Sequence, residues 1–229
     1  MKYTCGDAID INIPIEEFDR IGIRFSGGAD SAILMTLLAE TIMRLGKQKT
    51  AFIQPMTVHW DFKPFNHFYG KGVREFVVEK YPEVDIRETE VGICDSYEDY
   101  VPSQKRLEER VMPKYNLEIM FGGVTQNPPN SESPMWSEYY WNHRDPSRDP
   151  EMKKDPILAK ATEYWKCFPF RHTNKRGIAA LYDMMGVRDT LYPLTWSCEA
   201  YPQENAYFQK QCGKCWWCKE RIWGFGSLE

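Results

Sequence analysis

The chain has 229 residues, 42% of them hydrophobic, and 29 Lys and Arg against 33 Asp and Glu give a formal net charge of −4. This length and apolar content suit one domain with a small appendage and exclude global disorder. The acidic balance speaks against a nucleic-acid binder that works mainly through phosphate attraction, and no apolar run reaches the roughly 18 residues of a membrane span.

In chain order, a polar lead-in over 1–19 carries one apolar alternation, Ile9, Ile11 and Ile13. Its first residues, Met1 to Asp7, lack the apolar stretch and cleavage site of a signal peptide, so a cytoplasmic protein is expected. Arg20 to Phe25 alternates with period two and predicts a strand. The strand ends at Ser26-Gly27-Gly28-Ala29-Asp30-Ser31. From Ala32 to Leu45, Ile33, Leu34, Leu37, Leu38 and Leu45 recur at helical spacing, and Gly46 supplies a stop. A strand follows over 51–60, a helix over 72–80, a strand over 85–91 and a helix over 103–112. A short strand over 117–121 then runs into Gly122 and Gly123. Strands alternating with helices predict an α/β fold with a parallel sheet.

Residues 126–156 break the alternation. They hold Pro128, Pro129, Pro134, Pro146, Pro150 and Pro156, with Trp136, Tyr139, Tyr140 and Trp141 among them. A loop of this length is either a packed, substrate-covering insertion or a surface excursion. Helical spacing returns at 176–185 before Gly186, and a cysteine-rich tail follows. The final Gly226-Ser227-Leu228-Glu229 looks like a vector-derived remnant and is set aside. Two units result: an α/β domain over 1–192 with its insertion, and a metal-binding extension over 193–225.

The glycine turn carries the first chemistry. A helix starting just after a strand exposes free N–H groups and partial positive charge, which suits a phosphate or pyrophosphate. Gly27 and Gly28 let the backbone approach such an anion, and Ser26 and Ser31 add hydroxyls. Asp30 can cap the helix, hold a metal ion or orient a phosphate-bound Mg2+. Ligands of such sheets bind at the carboxyl ends of strands, which here also present His59 to Asp61 and Gly122 to Gln126. His59 either contacts the nucleotide or packs at its strand end. Lys175, just ahead of the last long helix, either neutralises phosphate charge or is solvated.

The tail carries the second. Cys198, Cys212, Cys215 and Cys218 supply four thiols, the last three spaced C-x2-C-x2-C, with Gly213 permitting the tight turn. In a reducing compartment disulfides are not expected. Four thiolates match a closed tetrahedral Zn2+ site with no position open to substrate; an iron–sulfur cluster is the rival. Cys5, Cys94 and Cys167 are isolated and expected to be small buried side chains.

The turn is not Walker A, which ends Gly-Lys-Ser/Thr, nor the G-x-G-x-x-G fingerprint. In its strand–turn–helix setting it resembles the SGGxDS loop of the PP-loop ATP pyrophosphatases, the adenine nucleotide α-hydrolase-like superfamily. That resemblance implies an open five-stranded parallel sheet with helices on both faces. It also implies ATP and Mg2+ as ligands, and AMP transfer to a carbonyl or carboxyl oxygen with release of pyrophosphate. The nucleotide would meet Ser26, Gly27, Gly28, Asp30, Ser31, His59, Gly122 and Gly123, with Asp30, Ser31 and Lys175 in catalytic roles. The stretch from Pro169 to Lys175 is similar to the superfamily's Pro-then-Lys signature.

Thr195-Trp196-Ser197-Cys198 and the stretch from Cys212 to Arg221 are similar to the C-terminus of 7-cyano-7-deazaguanine synthases. In that family a helix like 175–186, a Leu-Tyr-Pro-Leu-like strand and the first cysteine come in this order, and a trailing arginine follows the zinc site. The resemblance implies that ATP activates 7-carboxy-7-deazaguanine, ammonia attacks to give an amide, and a second activation leaves a nitrile. A divergent relative acting on another carboxylate or carbonyl stays open. So do a tRNA-modifying enzyme of the thiolase type and a nucleotide-binding module without catalysis. The expected partners are a small-molecule carboxylate and ammonia, with no stable nucleic-acid partner, no membrane, and a homodimer left open.

Overall fold

The computed structural model describes residues 1–5, 9–60, 65–96, 98–132, 138–139, 144–152, 156–161 and 163–229. Lys2–Cys5 (β1) and Ile9–Asn12 (β2) pair antiparallel and place Tyr3 and Ile11 on the core. The alternation at 9–13 is thus one arm of a hairpin. Arg20–Arg24 (β3) leads through the glycine turn into Ala29–Arg44 (α1), which buries the helical stripe found in the sequence and ends just before Gly46.

Phe52–Trp60 (β4) matches its expected strand. Phe65–Lys80 (α2) begins at Phe65 rather than at Gly72. The strand expected over 85–91 is two, Asp85–Ile86 (β5) and Glu90–Cys94 (β6), both pairing with the same edge of β4. Between them the buried Gln54 amide donates to Glu88 O at 2.8 Å, so a side chain replaces part of the ladder.

Tyr100–Lys114 (α3) is longer than expected at both ends, and Ile119–Phe121 (β7) follows. Leu158–Lys160 (β8) and Trp165–Cys167 (β9) have no counterpart in the sequence prediction. Lys175–Met184 (α4), Arg188–Leu191 (α5) and Trp216–Phe225 (α6) complete the described elements. The stretch Leu191-Tyr192-Pro193-Leu194, expected as a strand, is helical: α5 runs into a 3-10 turn over Tyr192–Leu194. Pro193 has no N–H for a ladder, and its fixed φ suits the start of such a turn.

The sheet has seven strands in the order β5–β4–β3–β7–β9–β8, with β6 also on β4, rather than the five expected. All pairings are parallel except β8 with β9. Side-chain alternation divides its two faces. Ile21, Ile23, Ile53, Ile119 and Phe121 share a core with α1, α2 and α4. Phe52, Met56, Val58 and Met120 pack with Leu107 and Val111 of α3. Successive strands run outward from β3 to β4 on one side and from β7 to β9 on the other. The crevice at carboxyl ends of β3 and β7 is therefore the topological switch point, where open α/β sheets bind ligands. Among the described residues, no helix is long and apolar enough to cross a membrane.

Of the insertion, Pro134, Trp136, Tyr140 and Trp141 lie outside the described residues. Its described parts are anchored at a few points, with most of the residues exposed. Tyr139 lies against the cysteine cluster, Glu138 N donates to Lys214 O at 3.1 Å, and Asn127 donates to Asp149 at 2.6 Å. The last residues, set aside on sequence, also engage the tail: Leu228 O accepts from Gln211 and Arg221, and Ser227 O accepts from Tyr192 OH.

Candidate functional site

A cavity of about 660 Å³ opens at the switch point, within the range of small-ligand sites. Ser26, Gly28, Asp30 and Ser31 form one wall, and Gly122 and Gly123 another. The turn is tightly organised. Gly28 N–H donates to Ser26 Oγ at 3.3 Å, and Ser31 Oγ donates back to Gly28 O at 3.1 Å. Gly28, not Asp30, is the N-cap of α1. The first intrahelical hydrogen bond runs from Ala32 N to Gly28 O, so the N–H groups of the preceding helical turn face the cavity mouth. Tyr182 of α4 fixes this helix end by donating to Ala29 O at 2.8 Å; burial pushes its phenol well above the usual range, which keeps the proton on.

Glycine is required here for space. Gly27 has φ of +72°, and a Cβ on it would lie 2.6 Å from Gly70 N of α2. A Cβ on Gly123 would sit 3.1–3.2 Å from Asp30 and Ser31, so β7 can back directly onto the head of α1. Gly122 makes room for the Phe168 ring, which would be 2.6 Å from a Cβ there.

Lys175, the first residue of α4, is buried, and its ammonium pairs with Asp30 Oδ2. Asp30 Oδ1 is buried without a hydrogen-bond partner. An orphaned carboxylate oxygen beside a helix N-terminus and hydroxyls fits a divalent cation carried by phosphate. The residues present thus fit Mg2+ and a nucleotide polyphosphate. His59 does not line the cavity; its ring meets that of His67 edge-on at 6.1 Å. Asp61 lies outside the described residues.

Residues that the sequence did not single out complete the site. Glu220 of α6 is fully buried, accepts from Arg148 at 2.6 Å and stands 3.8 Å from Lys175 Nζ. Arg148, from the insertion, also donates to Thr125 O and Oγ1. Across the cavity, Arg24 at the end of β3 pairs with the buried Glu108 of α3. Arg24 and Arg171 both lie over the Phe168 ring, 5.8 and 4.6 Å from its centre. Tyr100 lines the same end, its phenol pushed up to about 12 by burial, so it remains a neutral donor. Arg24 sat one residue from the predicted strand end and Glu220 two residues from Cys218. No spacing rule marks either.

The four tail cysteines come together. The Sγ atoms of Cys198, Cys212, Cys215 and Cys218 all lie within 4.8 Å of one another, and all but Cys212 are buried. A tetrahedral ion holding thiolates at about 2.3 Å sets its sulfurs about 3.8 Å apart, and Cys212 Sγ and Cys218 Sγ stand 3.9 Å apart. The Cys212 thiol is pushed down by hydrogen bonds from the other three, and that of Cys218 is pushed up by the same kind of neighbours. Lys214 and Cys215 N–H groups both point at Cys212 Sγ at 3.4 Å, around Gly213 with φ of +72°. Trp196 and Ala200 enclose the group. Arg221 is buried, donates to Thr195 Oγ1 within the tail at 2.7 Å, and ties the tail to the domain through Tyr192 O at 3.0 Å. Cys94 and Cys167 are buried, and burial pushes the Cys167 thiol up to about 12, as suits packing rather than reactivity.

No protein-family model and no curated protein matches the sequence. Sixteen solved chains match in structure. One is the U34-tRNA thiolase NcsA from Methanococcus maripaludis with its [4Fe-4S] cluster, at a TM-score of 0.49 and 11% identity, covering 78% of this chain and 61% of that one. The chain thus spans less than two thirds of that protein's length.

Proposed function

We propose that the protein is an ATP-dependent enzyme that activates an acceptor oxygen by AMP transfer and releases pyrophosphate. The observation that carries this is the pair of Asp30 with the buried Lys175 at the head of α1, with one Asp30 oxygen left without a donor. Asp30 would hold Mg2+, whose charge neutralises phosphate oxygens. The helix N-terminus, Gly28 N–H and the hydroxyls of Ser26 and Ser31 would receive the phosphates. Lys175 would donate to the phosphate oxygen on which negative charge grows in the transition state.

Arg171 and the Phe168 ring line or flank the acceptor end, where Arg24 is paired with Glu108. That chemistry suits a planar carboxylate, and 7-carboxy-7-deazaguanine with ammonia as nucleophile is the acceptor that the C-terminal resemblance implies. The four thiols would hold a structural Zn2+. The test supplies ATP, Mg2+, ammonium and candidate carboxylates to the zinc-loaded protein and reads products by mass spectrometry. Pyrophosphate, AMP and an amide or nitrile are expected; no turnover of 7-carboxy-7-deazaguanine would remove that acceptor.

A second reading, tRNA thiolation, draws on the same loop and on thiols that also suit iron. Salt-sensitive tRNA binding, iron in the purified protein and sulfur transfer to tRNA would replace the first reading with it.

A further inference from the structure

We propose that Glu220 is a positioning residue that takes over the Lys175 ammonium when a nucleotide-bound cation engages Asp30, so that the four-cysteine tail sets the geometry of the nucleotide site. The proposal rests on the nucleotide site described above. Lys175 has three donors and lies between two carboxylates. Asp30 takes one donor directly, while Glu220 Oε2 stands 3.8 Å away. That oxygen is fully buried and has no hydrogen-bond partner, although Oε1 of the same carboxylate is satisfied by Arg148. A buried acceptor without a donor is costly, and the ammonium is the cation beside it.

A divalent cation arriving on Asp30 competes with the ammonium for the same carboxylate. Two cations on one carboxylate repel, and Glu220 is the anion already in place to keep the lysine in the site rather than let it swing away. The position of Glu220 is fixed from three sides. Its helix starts beside Cys215 and carries Cys218 two residues earlier. Arg148 clamps Oε1 and is itself held by Thr125. One turn on, α6 touches Lys175 so closely that a Cβ on Gly224 would lie 2.3 Å from Lys175 Cβ. One helix therefore joins the cysteine cluster to the lysine.

The test compares Glu220→Gln and Glu220→Asp with the wild-type protein in metal content, thermal unfolding, nucleotide affinity and turnover. Affinity is measured by calorimetry with a non-hydrolysable ATP analogue and Mg2+. Glu220→Gln keeps an acceptor for Arg148 but loses the charge. It is expected to retain metal and to bind the analogue as tightly as wild type or more tightly. Its kcat for pyrophosphate release should fall about tenfold or more while KM for ATP stays within about threefold. Glu220→Asp is expected to recover part of kcat. Should Glu220→Gln not fold, Arg148→Met combined with it removes the guanidinium that has lost its carboxylate, and the same split is expected. Unchanged kcat, or kcat and affinity falling together with loss of metal, would overturn the positioning role while leaving the nucleotide site standing. A wild-type protein that does not bind the analogue overturns both.

Discussion

Asp30 neutralises Lys175 and still keeps one buried oxygen without a donor. Removing its carboxylate should end catalysis without unfolding the chain, because the buried lysine retains Glu220 nearby as counter-charge. Asp30→Ala is therefore expected to lower pyrophosphate release by about 10²-fold or more with an unchanged circular dichroism spectrum and melting curve. Turnover at the wild-type rate would take Asp30 out of the mechanism. Gly27 makes a different kind of demand. Its φ of +72° and its approach to Gly70 leave no place for a methyl group. Gly27→Ala should cost about 2 kcal/mol or more by urea unfolding, from the left-handed backbone and the backbone clash together. It should also cut turnover, because the turn must shift away from α2.

Among the elements, the tail is gathered around its four thiols. Four thiols packed within 4.8 Å of one another, in a core with Trp196 and Ala200, suit a metal whose binding is part of folding. Cys215→Ser is expected to lose the metal and destabilise α6, read as a lower or earlier melting step and faster proteolysis after residue 193. A stable, metal-free variant would show that the cluster holds no structural ion. This cluster was legible in the sequence because ligand spacing is local and thiols are scarce. The strand, turn and helix around Ser26 to Ser31 were legible for a similar reason, since period and glycine placement change within a few residues. The strands β8 and β9 were not, because three residues are too few to show alternation. The strand at Leu191 to Leu194 was expected from the family resemblance alone, and the ring of Pro193 favours a 3-10 turn there instead. Glu220 and Arg148 were invisible for another reason. Each is an ordinary charged residue until the fold buries it against a partner 72 positions away.

At the scale of the whole molecule, Glu108 links parts of the sheet that are distant in sequence. Nearly fully buried on α3, it accepts from Arg24 of β3, from Tyr164 at 3.1 Å and from Lys166 of β9 at 3.2 Å. Desolvation pushes its carboxyl up, but Arg24 and Lys166 outweigh that and hold it below the ordinary carboxylate range. The folded chain therefore binds fewer protons at this group than the unfolded chain does. Its stabilising contribution is complete above the unfolded value of about 4.3 and is lost as pH falls through the lower folded value. Glu108→Gln leaves two partly exposed cations without their anion, which should cost about 2 kcal/mol at pH 7. Urea unfolding at pH 7 and at successively lower pH separates this from a packing defect. The gap between wild type and variant should stay constant down to about pH 5 and then close toward pH 3, because only the wild type loses the ion pair. Parallel stability curves for the two proteins across that range would show that the carboxylate is not charged in the fold, and that the sheet is held at this point by packing and neutral hydrogen bonds alone.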